Sequence, residues 1–206
     1  MAFDQPPINL AVEGPTDEIV LRHILQYVDI GKKSILIRAR KGKAHLLKNL
    51  DGFNNAAQYG HRWLVVVDLD QDADCAPTFM KTILSSPAEG MLLRIPVRAI
   101  ESWLLADRDQ FAQFLGIAAA NIPLDPELED HPKRTVINLV SQKCRKTRLR
   151  EDMLPVPNSG RAVGPGYSSQ MERFVTNYWR PEIAAENSDS LRRCIAALQN
   201  WKLIGA

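Results

Sequence analysis

The chain has 206 residues, 45% of them hydrophobic, and its 26 Lys or Arg against 24 Asp or Glu leave a formal net charge of +2 at pH 7. That composition can build a core, and no apolar run reaches the ~18 residues of a membrane span. Cys75, Cys144 and Cys194 form no Cys-x-x-Cys pair and no zinc spacing with His23, His45, His61 or His131, and the opening Met1 to Pro7 carries no charged-then-apolar leader. A reduced, cytoplasmic protein is therefore expected, with neither a disulfide scaffold nor a zinc site.

Ile8-Asn9-Leu10-Ala11-Val12 predicts a short strand that stops at Glu13. Gly14-Pro15 turns the chain sharply into a helix over 16–28, with Asp17 and Glu18 in its first turn. A second strand is predicted near 34–38. Arg40-Lys41-Gly42-Lys43 then leads into a helix near 43–57. Trp63-Leu64-Val65-Val66-Val67 predicts a strand over 63–68, continuous and β-branched like one buried on both faces. A helix near 75–85, a strand near 92–97 and a helix near 99–107 follow. Beyond Asp107 strand signals fade, and 108–120, 132–146, 168–179 and 187–200 read as helices. Asn121 to Pro126 and the Pro/Gly-rich Pro155 to Gly166 read as loops. The alternation predicts an α/β fold: a mainly parallel sheet flanked by helices over 1–107, with a helical C-terminal extension over 108–206 packed on it.

The chemistry concentrates where strands end. Asp68, Asp70, Asp72 and Asp74 stand at every second position once the apolar run stops. In open α/β sheets, ligands bind beyond the carboxyl ends of the strands. Crowded carboxylates repel one another unless a cation is present, and Mg²⁺ and Mn²⁺ prefer oxygen donors. The alternative is an acidic, solvated loop. Helix-dipole stabilisation accounts for Asp17 and Glu18, but not for Glu13, which precedes the turn. The Asp-x-Asp does not follow the first strand, as it does in haloacid-dehalogenase phosphatases. It also lacks the Gly and Glu of a calcium loop, having Ala73 and Phe79 at those places.

Glu13-Gly14 together with Asp68-Leu69-Asp70 resembles the TOPRIM family of metal-dependent phosphoryl-transfer domains, and Glu13-Gly14-Pro15-Thr16-Asp17 is most similar to its OLD-type branch. The segment Arg94 to Asp107, with Ile100-Glu101-Ser102-Trp103, resembles a TOPRIM-like bacterial family of the DUF4276 type. Arg40 to Lys43, Asp125-Pro126-Glu127, His131 to Arg134 and Ser188 to Cys194 fit the same family, so the resemblance spans nearly the whole chain. It implies one or two Mg²⁺ or Mn²⁺ ions held by Glu13, Asp68 and Asp70, with Asp17, Asp72 or Glu101 completing a second position. Glu101 is alternatively a general base or a helix N-terminal acid. Lys43, with Lys41 beside it, is the candidate to neutralise a phosphoryl transition state. Trp103 reads as core.

Seven Lys or Arg and no acid lie between His131 and Arg150, and five more between Arg38 and Lys48. Such stretches (38–48 and 133–150) either neutralise a nucleic-acid backbone, DNA being favoured, or form solvated helix faces. The expected activity is that of a metal-dependent nuclease in DNA processing or anti-phage defence. No tyrosine stands out as a strand-passage nucleophile. No Walker A motif is present, and OLD-type relatives act with an ATPase. A weakly active binding or regulatory subunit of a separately encoded ATPase is therefore the other expectation.

Overall fold

The computed structural model describes residues 6–30 and 35–204. Ser34, where the second predicted strand begins, and residues 1–5 lie outside them. Four strands, β1 (Ile8–Val12), β2 (Ile35–Arg40), β3 (Arg62–Val66) and β4 (Met91–Arg94), form one sheet in the order β2-β1-β3-β4, with every pairing parallel. Helices α1 (Pro15–Tyr27), α2 (Lys43–Gln58) and α3 (Ala76–Ile83) connect successive strands. This is the α/β architecture expected from the alternation, with a helical region after it.

β1 is buried along its whole length, which explains why it is apolar except at Asn9, whose buried amide donates to the Arg62 carbonyl and accepts from Arg38 Nε. Ala11, Val65, Met91 and Leu93 share a core with Leu46 and Leu50 of α2 and Phe79 of α3. Side chains alternate across a strand, so Leu10, Leu64 and Val66 point to the opposite face. The apolar stripe of α1 (Val20, Leu21, Ile24, Leu25) is fully buried, and α1 packs on β1 and β2. β2 is an edge strand, with Leu36, Arg38 and Arg40 exposed.

The chain divides into two compact units. The first comprises residues 1–97 and 193–206 and holds the sheet; the second comprises residues 98–192. The second contains α4 (Ile100–Leu105), α5 (Arg108–Leu115), α6 (Pro132–Gln142), α7 (Thr147–Met153), α8 (Tyr167–Asn177) and α9 (Pro181–Glu186). The final helix α10 (Asp189–Ile204) begins in the second unit and ends in the first. Trp103 is fully buried in the second unit, and its indole N–H donates to Ser190 Oγ at 2.7 Å. Phe111, Phe114 and Phe174 make an aromatic cluster there.

Two predicted helices are shorter than expected. The one over 108–120 stops at Leu115 because Gly116 takes a left-handed φ of 71°, a usual way to end a helix. The one over 132–146 stops at Gln142, and the separate helix α7 follows. Arg150 on α7 donates through Nη1 to the carbonyls of Val140, Ser141 and Cys144 at the end of α6, the last at 3.3 Å. Lys146 likewise caps α5 through Gln113 and Phe114. Two of the seven basic residues of 133–150 thus satisfy helix C-terminal carbonyls. Lys143, Arg145 and Arg148 are exposed. The Pro155–Gly166 loop joins α7 to α8 and is pinned at its base, where the Gly164 and Gly166 N–H groups donate to Met153 and Asp152 carbonyls at 2.8 Å each.

Candidate functional site

The sheet order has one physical consequence for the site. From β1 the chain goes to β2 on one side, then crosses to β3 on the other. The carboxyl ends of β1 and β3 therefore flank the point where strand order reverses, the usual binding crevice of an open α/β sheet. Glu13 follows β1 directly, and Asp68 stands two residues past β3.

Their meeting follows from the hydrogen-bond ladder. Val67 and Leu69 donate to Arg94 and Pro96 carbonyls, at 3.1 and 3.0 Å, on the β4 side. The N–H of Asp68 therefore faces β1. There the backbone has already turned away at Gly14-Pro15, and the Glu13 side chain supplies the missing acceptor: Asp68 N–H donates to Glu13 Oε1 at 2.9 Å. Asp68 itself is buried, with 7% of its surface exposed. The N–H of Gly42 donates to the Glu13 carbonyl at 2.9 Å, tying the end of β2 to the same corner. Gly42 adopts φ 79°, ψ 166°, a conformation open essentially to glycine alone.

Lys43, first residue of α2, enters this corner. Its ammonium donates to the Asp68 carbonyl at 2.6 Å, to Asp70 Oδ2 at 2.8 Å and to Asp72 Oδ2 at 2.6 Å, with the Leu69 carbonyl at 3.4 Å. It also lies 5.2 Å from the centre of the Phe79 ring. Burial alone would lower the Lys43 pKa, but hydrogen bonds and charge attraction from Asp70 and Asp72 outweigh it, holding the ammonium above its ordinary range. Asp70 has φ 49°, a left-handed conformation that Asp tolerates better than most residues. The side chains of Asp70 and Asp72 are about half exposed, at 53% and 47%.

The other expected residues are placed differently. Asp17 is buried, and its Oδ2 accepts the Gly14 N–H at 3.0 Å, the return bond of a capped helix start. Glu18 pairs with Arg22 and Arg40 at 2.9 Å each, so Arg40 is partly neutralised. Glu101 belongs to the second unit and is fully buried. It accepts the Tyr167 hydroxyl at 3.0 Å on Oε1, pairs with Lys133 at 3.4 Å, and its Oε2 has no hydrogen-bond partner. Tyr167 was not distinguished in the sequence, since nothing local links residues 66 positions apart.

The corner of the first unit offers oxygen donors only, which suits a hard cation. Among the described residues no three His, Cys, Asp or Glu side chains form a group that could hold a metal ion. Mg²⁺, however, is commonly held by one or two carboxylates, with water and substrate phosphate completing its shell. The exposed Cys75 is acidified by its hydrogen bond to Thr78, whereas burial pushes the Cys194 thiol up to about 12. No helix among the described residues is long and apolar enough to cross a membrane. Compared with family models, with curated proteins and with solved structures, the chain matches none.

Proposed function

We propose that the chain is a TOPRIM-like, Mg²⁺- or Mn²⁺-dependent phosphodiesterase acting on nucleic acid, with Glu13 and Asp68 as its metal-holding pair. The observation that carries this reading is the meeting of Glu13 and Asp68 at the sheet's switch point, where the Asp68 backbone N–H donates to Glu13 Oε1 at 2.9 Å. Two hard carboxylates at a strand-end crevice suit an ion that completes its shell with water and phosphate. When bound, such an ion polarises a phosphoryl oxygen and makes its water a better nucleophile. Glu13 orients the Asp68 backbone, and the Gly42 bond keeps the β2 end against Glu13. Lys43 brings positive charge to the side of the corner bounded by Asp70 and Asp72.

The exposed Arg38, Lys41 and Lys48 give this unit a basic flank, and Lys143, Arg145 and Arg148 give the second unit another. Both support a polyanionic partner, with DNA favoured, in a cytoplasmic DNA-processing or anti-phage role. A second reading, a weakly active subunit completed by a separate ATPase, is favoured by one observation: Asp70 and Asp72 are both already paired with Lys43.

The test is incubation of the purified chain with supercoiled plasmid and single-stranded DNA in Mg²⁺, Mn²⁺ or EDTA. Cleavage that requires the metal is expected. No cleavage by folded protein, with or without a candidate ATPase, overturns the nuclease reading in favour of a binding module.

A further inference from the structure

The ammonium of Lys43 has three N–H donors. The structure gives it three short contacts, to the Asp68 carbonyl, Asp70 Oδ2 and Asp72 Oδ2, at 2.6, 2.8 and 2.6 Å. Each hydrogen is thus committed, and the Leu69 carbonyl stands fourth at 3.4 Å. The Lys43 side chain is only 17% exposed, and its charge lies near the Phe79 ring face. This is a coordination shell of two carboxylates and two backbone carbonyls built around one cation, and the protein supplies that cation itself. A free ammonium waiting for phosphate would keep at least one donor open to the crevice.

We propose that Lys43 is a tethered cation occupying a second cation position beside the Glu13–Asp68 pair, so that the wild-type chain takes one divalent ion and loss of Lys43 admits another. The inference rests on the reading of Glu13 and Asp68 as a metal pair for its count of one, while the shell around Lys43 stands on its own contacts. Asp70 and Asp72 carry two negative charges against one ammonium. Removing the ammonium leaves those carboxylates and the Asp68 carbonyl without its positive charge, a donor set a divalent ion can use. Asp70 and Asp72 therefore serve Lys43 in the native chain and do not ligate metal. Lys43 reaches a substrate phosphate only by releasing one of its three oxygens.

The experiment counts Mn²⁺ bound per chain, by the electron paramagnetic resonance signal of free Mn²⁺, in wild type, K43A and K43A/D70N/D72N, each checked for folding by circular dichroism. One ion in wild type, two in K43A and one in the triple variant are expected. Two ions in wild type overturn the proposal without reference to any variant. An unchanged count in K43A, or an extra ion that survives D70N/D72N, overturns it as well. No ion in wild type with one gained in K43A and lost again in the triple variant sustains Lys43 as the tethered cation and defeats the Glu13–Asp68 metal pair, so the two failures are distinguishable.

Discussion

Replacing Glu13 by glutamine is expected to lower metal-dependent strand cleavage by at least about 100-fold while the first unit keeps its fold. The two roles of this side chain separate cleanly. Glu13 Oε1 accepts the Asp68 N–H at 2.9 Å, which closes the ladder where β1 turns away. Glutamine retains an oxygen for that bond, so the corner stays assembled. What it loses is the negative charge that would hold a divalent ion. Alanine removes both, and leaving a buried N–H without an acceptor costs about 1–3 kcal/mol. Thermal melting should therefore rank E13A below E13Q, with E13Q close to wild type, while both lose cleavage. Full cleavage by E13Q would mean that the carboxylate charge has no part in the chemistry.

Arg180→Ala is expected to destabilise the second unit strongly, by about 3–5 kcal/mol. Asp107 is fully buried. Arg180 meets it through its backbone N–H at 3.0 Å, Nε at 3.0 Å and Nη2 at 2.7 Å, a forked, charge-assisted pair. The Arg180 side chain is 38% exposed, so water can serve it if it is left alone; the Asp107 carboxylate has no such recourse. The asymmetry predicts the order of effects. R180A leaves a buried charge, and adding D107N removes that charge and recovers part of the loss. Urea unfolding midpoints check this. A double variant less stable than R180A would show that the Asp107 charge is not what the pair exists to balance.

The candidate site was legible in the sequence to the extent that it depends on where strands stop. Glu13 and Asp68 stand just past the apolar runs Leu10 to Val12 and Trp63 to Val67, and in a parallel sheet such runs end at the same edge. That β1 and β3 are neighbours was not legible, because strand order is set by how α1, α2 and α3 pack, not by any local pattern. The state of Lys43 was hidden for the same reason: its partners Asp70 and Asp72 lie on a loop beyond another strand, and only the register brings them to its ammonium. In the basic run 133–150 the individual roles were hidden. Composition cannot separate a lysine facing solvent from Lys146 or Arg150, which cap helices that end nearby in space. Helices α7 and α9 were missed because, at 7 and 6 residues, they are too short to show a periodicity.

The most direct measurement is anomalous diffraction from crystals of the wild-type protein soaked in Mn²⁺. A peak bounded by the carboxylates of Glu13 and Asp68, with Lys43 still seated between Asp70 and Asp72, is the predicted result. A well-ordered corner with no peak at Glu13 and Asp68 would contradict the claim that the switch point of this sheet is a metal centre.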